Sequence, residues 1–346
     1  MKQRSQASRG KAAKMADLAR LAGVHVSTVS RALAGSPLVE ASQRSRIVEL
    51  ARKHGYVVNP VARSLRLKRT QNISVVIPLQ HAVEQPLTDP FFVAILGHLA
   101  EAITQRGYGM HLRKALQPNH EWLDEIISSG RSDGVIVIGQ STEHEMLQKV
   151  AAHYLPLVVW GARLPGQKYC SVGSDNPGGA ELAVQHLLRS GRRRIVFLGD
   201  QTPELQERYK GYVRALRHGP DGTAPPRRVH AHVTAEAAYQ AISECIRSRS
   251  RFDAVFAGSD VIAISAIRAL ANHGLTVPND VAVAGFDDIF IAAHTTPSLT
   301  TVRQDVEKGA HALVDLLFRR MDGEVTRSIT LPVDLIIRDS APGLER

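Results

Sequence analysis

From about residue 72 onward, short apolar runs alternate with stretches of helical periodicity, and this alternation limits the fold more than any other feature of the chain. Strands are expected at 73–78, 109–113, 134–138, 157–160, 195–198, 229–233, 254–257 and 281–285. Helices are expected between them, at 92–105, 143–152, 178–190, 206–216, 235–247 and 261–273. Strands linked through helices pair in parallel by right-handed crossovers, so the body reads as parallel sheets covered by helices, with ligands at the strand carboxyl ends. A faint internal echo, Ser132-Asp133-Gly134-Val135-Ile136 against Phe252-Asp253-Ala254-Val255-Phe256, suggests two similar lobes.

The 346 residues, 44% of them apolar, suffice for two or three compact units. Charge is divided unevenly: residues 1–70 carry a net +12 and the remainder about −2. A basic head on a nearly neutral body suits phosphate neutralisation by one domain, although a solvated tail has the same composition. Cys170 and Cys245 stand apart without ligand spacing, so neither a disulfide nor a metal site is expected. No run approaches the roughly 20 apolar residues of a membrane span. Residues 1–14 lack the apolar stretch of a secretory signal and read as a disordered basic arm, consistent with a cytoplasmic protein without membrane contact.

Two short helical patterns, 17–22 and 28–33, flank Gly23-Val24-His25-Val26. Ala19 is small enough for a close helix crossing, Gly23 suits a left-handed turn, and Val24, Val29 and Leu33 can fill the space between helices. A third helix is expected at 43–54, with Ile47, Leu50 and Ala51 inward, Arg44, Arg46 and Arg52 outward, and Gly55 as its stop.

Residues 16–39 (Ala-Asp-Leu-Ala-Arg-Leu-Ala-Gly-Val-His-Val-Ser-Thr-Val-Ser-Arg-Ala-Leu-Ala-Gly-Ser-Pro-Leu-Val), His54-Gly-Tyr56 and Asn59-Pro-Val-Ala-Arg-Ser-Leu65 closely resemble the headpiece of the LacI/GalR repressor family. The resemblance implies a second helix in the DNA major groove, with Val26, Ser27 and Arg31 at base edges and Thr28 and Ser30 near phosphates. Arg31 is the expected reader of guanine, through its two-pronged guanidinium. It further implies a hinge helix over about 60–67, with Asn59 as cap and Leu65 wedged between base pairs in the minor groove. Tyr56, Ala62, Arg63, Ser64 and Arg66 complete the expected DNA-binding set. Lys14, His25 and Glu40 stand where relatives usually carry capping Thr or Ser residues, so weaker helix caps are expected.

The body resembles the sensor domain of the same family, through Asp89-Pro-Phe-Phe92, Val172-Gly-Ser-Asp-Asn176, Arg208-Tyr-Lys-Gly-Tyr212, Gly258-Ser-Asp260, Pro278-Asn-Asp-Val-Ala-Val-Ala-Gly-Phe-Asp-Asp288, Leu299-Thr-Thr-Val-Arg-Gln-Asp305 and Arg338-Asp-Ser340. The implied fold is an all-α helix-turn-helix headpiece plus an α/β periplasmic-binding-protein-like sensor domain of two Rossmann-like lobes. Its divisions would be a DNA-binding domain at 15–58, hinge helix and linker at 59–71, and an effector-binding and dimerisation domain at 72–340. The N-lobe would comprise about 72–174 and 306–331, and the C-lobe about 175–303 and 333–340.

By resemblance, Arg208 and Asp287 hold an effector between the lobes, with Asp89, Phe91, Trp160, Arg163 and Asp260 around it. Arg208 and Asp287 could instead be an interlobe salt bridge, and Trp160 packed core. Relatives often carry a polar residue at the position of Gly161, and Arg163 or Asp89 is expected to compensate.

The implied function is a homodimeric repressor of carbohydrate-utilisation genes that binds palindromic operator DNA and responds to a sugar or glycoside. A purine, nucleoside or other non-sugar effector, and a sugar-binding protein that does not bind DNA, remain alternatives. A glycosidase using Asp260 and Asp287 finds little support, because no nucleophile-elbow, P-loop, HExxH or dinucleotide motif accompanies them, and no cofactor is expected.

Overall fold

The computed structural model describes residues 14–56, 69–79, 85–115 and 121–343. The chain divides into two units, residues 1–70 and 71–346. Among the described residues no helix is long and apolar enough to cross a membrane.

The described part of the first unit is three helices: α1 (Met15–Ala22), α2 (Val26–Leu33) and α3 (Ala41–Lys53). Gly23 takes φ +66° and ends α1, its amide turned back to the Arg20 carbonyl. The second helix begins two residues earlier than the sequence pattern suggests, because the His25 ring takes over the capping role, its Nδ1 accepting from the Ser27 amide at 3.5 Å. Caps are modest throughout: Asp17 accepts the Lys14 amide at α1, and Glu40 caps nothing at α3. Leu18, Val29, Val39 and Ile47 close the core, with Val24 and Leu33 against it. Arg44 departs from its expected solvated position. Its Nη2 donates to the carbonyls of Ser36 and Val39, both at 2.9 Å, and fastens the loop between α2 and α3.

The second unit contains two six-stranded sheets. One is formed by β1 (Asn72–Pro78), β2 (Gly109–Ala115), β3 (Gly134–Ile138), β4 (Leu157–Trp160), β5 (Cys170–Ser174) and β11 (Ile329–Leu331), in the order 11-5-4-3-1-2. The other is formed by β6 (Ile195–Gly199), β7 (Arg227–His230), β8 (Ala254–Ala257), β9 (Ala282–Asp287), β10 (Thr300–Gln304) and β12 (Val333–Ile336), in the order 12-10-9-8-6-7. Every pairing is parallel except β10 with β12.

Period-2 alternation sorts each central strand between two cores. Ile73, Val75 and Ile77 of β1 face one cluster with Ile136 and Ile138 of β3, while Val76, Val135 and Val137 face the other. Ile195 and Phe197 of β6 are divided from Val196 and Leu198 in the same way. The covering helices are α4 (Pro90–Gln105), α5 (Trp122–Ser128), α6 (His144–Ala151) and α11 (Val306–Met321) in the first lobe. In the second they are α7 (Asn176–Arg189), α8 (Pro203–Arg217), α9 (Ala235–Arg247) and α10 (Asp260–Asn272).

The chain passes between the lobes three times, after β5, after β10 and after β11. Strands β5 and β10 fall outside the apolar runs because they are rich in polar residues and glycine, as in Thr300-Thr-Val-Arg-Gln304, and β11 and β12 because they are only three and four residues long.

Candidate functional site

In each sheet the first strand is flanked by the second and the third, so the order reverses beside β1 and beside β6. Crevices open beyond the carboxyl ends of strands at such points. A cavity of about 110 Å³ lies there, between the lobes. Pro78 and Leu79 reach it from the end of β1, Ile138 and Gly139 from β3, Trp160 from β4, Gly258 and Ser259 from β8, Asp287 from β9 and Gln304 from β10.

The two walls differ in chemistry. The first lobe supplies Leu79, Phe91, Phe92, Ile138 and Trp160, with Gln85, Asp89 and Ser141 at their margin. The Phe91 and Trp160 rings lie 6.0 Å apart. Trp160 is backed by Gly309 of α11, where a Cβ would lie 2.2 Å from the indole Cζ3, so only glycine admits the ring at that depth. Trp160 therefore both lines the cavity and packs into the core. Asp89 caps α4, accepting from the Phe91 amide at 3.0 Å, and also accepts from Gln85 Nε2 at 3.1 Å.

The opposite wall is more polar, with Thr202, Glu204, Arg208, Ser259, Asp287 and Gln304 beside Leu205 and Val233. Arg208 projects from α8, its Nε donating to Asn176 Oδ1 at 2.8 Å and an Nη to the Gly258 carbonyl. Its guanidinium lies 3.7 Å from the centre of the Phe286 ring, with Nη1 3.5 Å from Asp287 Oδ1. Gln304 Nε2 donates to the same carboxylate at 2.7 Å. Asp287 and Asp288 both hold positive φ, 125° and 55°, a conformation that costs a non-glycine residue about 1–3 kcal/mol. Arg303 and Arg338 grip the Asp288 carboxylate, each at 2.7 Å, and so hold the strained pair in place.

Desolvation dominates the electrostatics. Burial pushes Asp287 up to about 8 against the attraction of Arg208, with Asp260 and Asp89 adding repulsion. Burial also raises Asp89 and Glu204, and draws the Arg208 guanidinium downward although Asp287, Glu204 and Asp260 support its charge. The buried pair is thus only partly compensated, and hydroxyl groups placed between its members would satisfy it further. Glu204 also bridges the lobes, accepting from the Gln140 amide at 3.1 Å.

Two expected effector residues lie elsewhere. Asp260 is fully buried beneath the cavity, accepting from Thr301 Oγ1 at 2.5 Å and from the Ile289 amide at 3.0 Å, and thereby ties β10 and the chain after β9 to α10. Arg163 is exposed and lines a separate depression with Asp175, Asn176 and Glu207. The space beside Gly161 is taken by Gln140, whose Nε2 donates to the Ala162 carbonyl and to the Tyr169 hydroxyl. Asp89, Phe91, Trp160, Arg208 and Asp287 are brought together. Glu204 and Gln304 were missed by the sequence analysis: Gln304 stands in the quoted stretch Leu299-Thr-Thr-Val-Arg-Gln-Asp305 but was given no role there, and Glu204 stands in no quoted stretch.

In the first unit, Val26, Ser27 and Arg31 lie exposed on α2, while Thr28 and Ser30 are half-buried beside them. Tyr56 packs against the helical core. Asn59, Ala62, Arg63, Ser64, Leu65 and Arg66, with the expected arm and hinge helix, lie outside the described residues.

Comparison with known proteins gives concordant matches. Residues 14–59 match the family described as bacterial regulatory proteins, lacI family, and residues 184–341 match the periplasmic binding protein-like domain. The chain is 30% identical to the HTH-type transcriptional regulator CelR of Thermobifida fusca over 332 residues, 93% of this chain and 96% of that protein. A solved CelR–cellobiose complex is similar, with 29% identity, a TM-score of 0.69, and 95% and 99% of the two chains covered. The Lac repressor dimer bound to operator and the anti-inducer ONPF shares the fold, with 23% identity, a TM-score of 0.84, and coverage of 96% and 100%.

Proposed function

Since the chain belongs to the LacI family of bacterial regulatory proteins, and is therefore a DNA-binding transcriptional regulator and not an enzyme, we propose that it represses carbohydrate-utilisation genes under the control of a sugar or glycoside held between its lobes. The observation that carries this reading is the division of the cavity into an aromatic wall and a carboxylate-rich wall. A pyranose has the matching asymmetry, with C–H faces that pack on rings and hydroxyls that donate to carboxylates and accept from a guanidinium. Asp89 and Glu204 against the one arginine among the lining residues disfavour an anionic ligand, Asp287 being held largely protonated. The similarity to a regulator solved with cellobiose supports the same class.

The cavity, about 110 Å³, is small for a sugar ring, and seating of the ring is proposed to involve a separation of the lobes. Differential affinity for open and closed arrangements is then the source of control. Val26, Ser27 and Arg31 are proposed to read bases, with Thr28 and Ser30 near phosphates, and a homodimer to match a two-fold operator, as the Lac repressor is solved as a dimer on its operator.

The test is binding of the full-length protein to its own upstream DNA at stated salt, with and without a panel of mono- and disaccharides that includes cellobiose, and a second panel of nucleosides. A shift in operator affinity caused by one sugar supports the reading. A shift produced only by nucleosides would keep the regulator and replace the effector class.

A further inference from the structure

Three polar side chains meet at the carboxyl ends of β6 and β7, beside the cavity but not among its lining residues. Asp200 directly follows β6, His230 is the last residue of β7, and His232 lies two residues further on. His230 Nε2 stands 3.1 Å from Asp200 Oδ1, and His232 Nδ1 2.7 Å from Oδ2. The two imidazoles lie 5.1 Å apart at 86°, and one donor atom from each of the three residues falls within 4.8 Å of the others. Asp200 is buried and additionally fixed by the Gln201 amide at 2.7 Å, while both histidines are half exposed. The neighbouring Arg228 guanidinium is engaged over the Tyr209 ring and with Gln206 Oε1.

We propose that Asp200, His230 and His232 form a binding site for a divalent transition-metal ion of the zinc class.

Two imidazole nitrogens and one carboxylate oxygen make a borderline donor set that suits zinc, nickel or copper(II) and not magnesium or calcium. Tetrahedral bonds of about 2.0–2.2 Å set donor separations of roughly 3.3–3.6 Å, so the two carboxylate–imidazole contacts must open slightly while the widest separation in the cluster closes, adjustments that rotations of the exposed histidine rings about a fixed carboxylate supply. Three protein ligands leave a fourth tetrahedral position for water or an added ligand. Thr202 and Val233, which line the cavity, lie within two residues of Asp200 and His232, so the ion fastens together two segments that shape its polar wall.

The experiment is titration of metal-free, full-length protein with zinc sulfate by calorimetry, and with cobalt(II) by visible absorption. The chain has 15 histidines, so the comparison with variants carries the assignment. Wild type is expected to bind one equivalent with an affinity that the other histidines do not match, and cobalt(II) to give the absorption of a four-coordinate site. His230→Ala, His232→Ala and Asp200→Asn should each weaken binding by more than about 10-fold, since loss of an outer-shell partner alone costs that much. His230→Cys should retain it, a thiolate being a good zinc ligand. Zinc should raise the Tm of wild type and of His230→Cys and leave the alanine variants unmoved. If an alanine variant fails to fold without metal, His232→Gln supplies the same comparison with a side chain of similar size. Equal zinc uptake by wild type and the His230→Ala/His232→Ala double variant, or none by wild type at micromolar zinc, overturns the proposal.

Discussion

Arg208 Nη1 lies 3.5 Å from Asp287 Oδ1, and both side chains are buried where the strands of the second lobe end. At that distance the pair attracts without a direct hydrogen bond, and each member leans on others: Arg208 on Asn176 and the Gly258 carbonyl, Asp287 on Gln304. Such a pair is poised to exchange its mutual contact for contacts with a ligand.

Removing Arg208 should therefore damage response more than stability. Breaking a buried pair usually costs about 3–5 kcal/mol by stranding a charge. Asp287, pushed up to about 8, already holds a proton at neutral pH, so losing the arginine strands little charge. Arg208→Ala is expected to lose about 1–3 kcal/mol in urea unfolding. It should still bind operator DNA while its affinity ceases to depend on effector.

Stability should fall as pH rises from about 4, the carboxyl pKa of the unfolded chain, to about 8. Within that window folded Asp287 keeps a proton that the unfolded chain releases, so raising pH favours unfolding. Asp260, raised by burial to about 6, acts in the same direction over the lower part of the range. Urea titrations at intervals of pH check this. Asp287→Asn, which removes the larger contribution, should flatten the profile, and an unchanged slope would count against a protonated Asp287.

Gly309→Ala places a methyl group against the indole of Trp160, at a site with no room for it. Overpacking of this kind costs about 1–3 kcal/mol. Because Trp160 forms part of the cavity wall, its emission spectrum should shift and effector affinity should fall together. A shift in emission without loss of affinity would detach the indole from binding.

Arg31→Ala should leave thermal stability unchanged, since the side chain is exposed. Operator affinity should drop by about 1–3 kcal/mol, with preference relaxed at one base position in each half-site. Competition with randomised half-sites measures it. Weakening that is uniform across all sequences would identify Arg31 as a phosphate contact.

Much of the architecture was legible because buried strands leave apolar runs and amphipathic helices leave a period. Even the faint echo has a physical basis. Asp133 accepts the Gln71 amide before β1, and Asp253 accepts the Arg194 amide before β6, so the same turn recurs in both lobes. What escaped was set by contacts distant in sequence. Asp260 and Asp287 are both acids near strand ends, and only the fold turns one into the cavity and the other beneath it. Arg44 looks solvated by helical period, yet two loop carbonyls needed a donor. His230 and His232 alternate on one segment, but their partner Asp200 lies 30 and 32 residues upstream, beyond any local spacing rule.

The three passages of the chain between the lobes bear on its synthesis. The first sheet lacks β11 until residue 331 is made, and the second lacks β12 until residue 336. Neither lobe is a continuous piece of sequence, so during translation both cores stay open until almost the whole protein has emerged. The three-helix core, by contrast, is complete within the first 56 residues. Of the two units, the helix-turn-helix headpiece has its core long before the periplasmic-binding-protein-like unit can close either of its own.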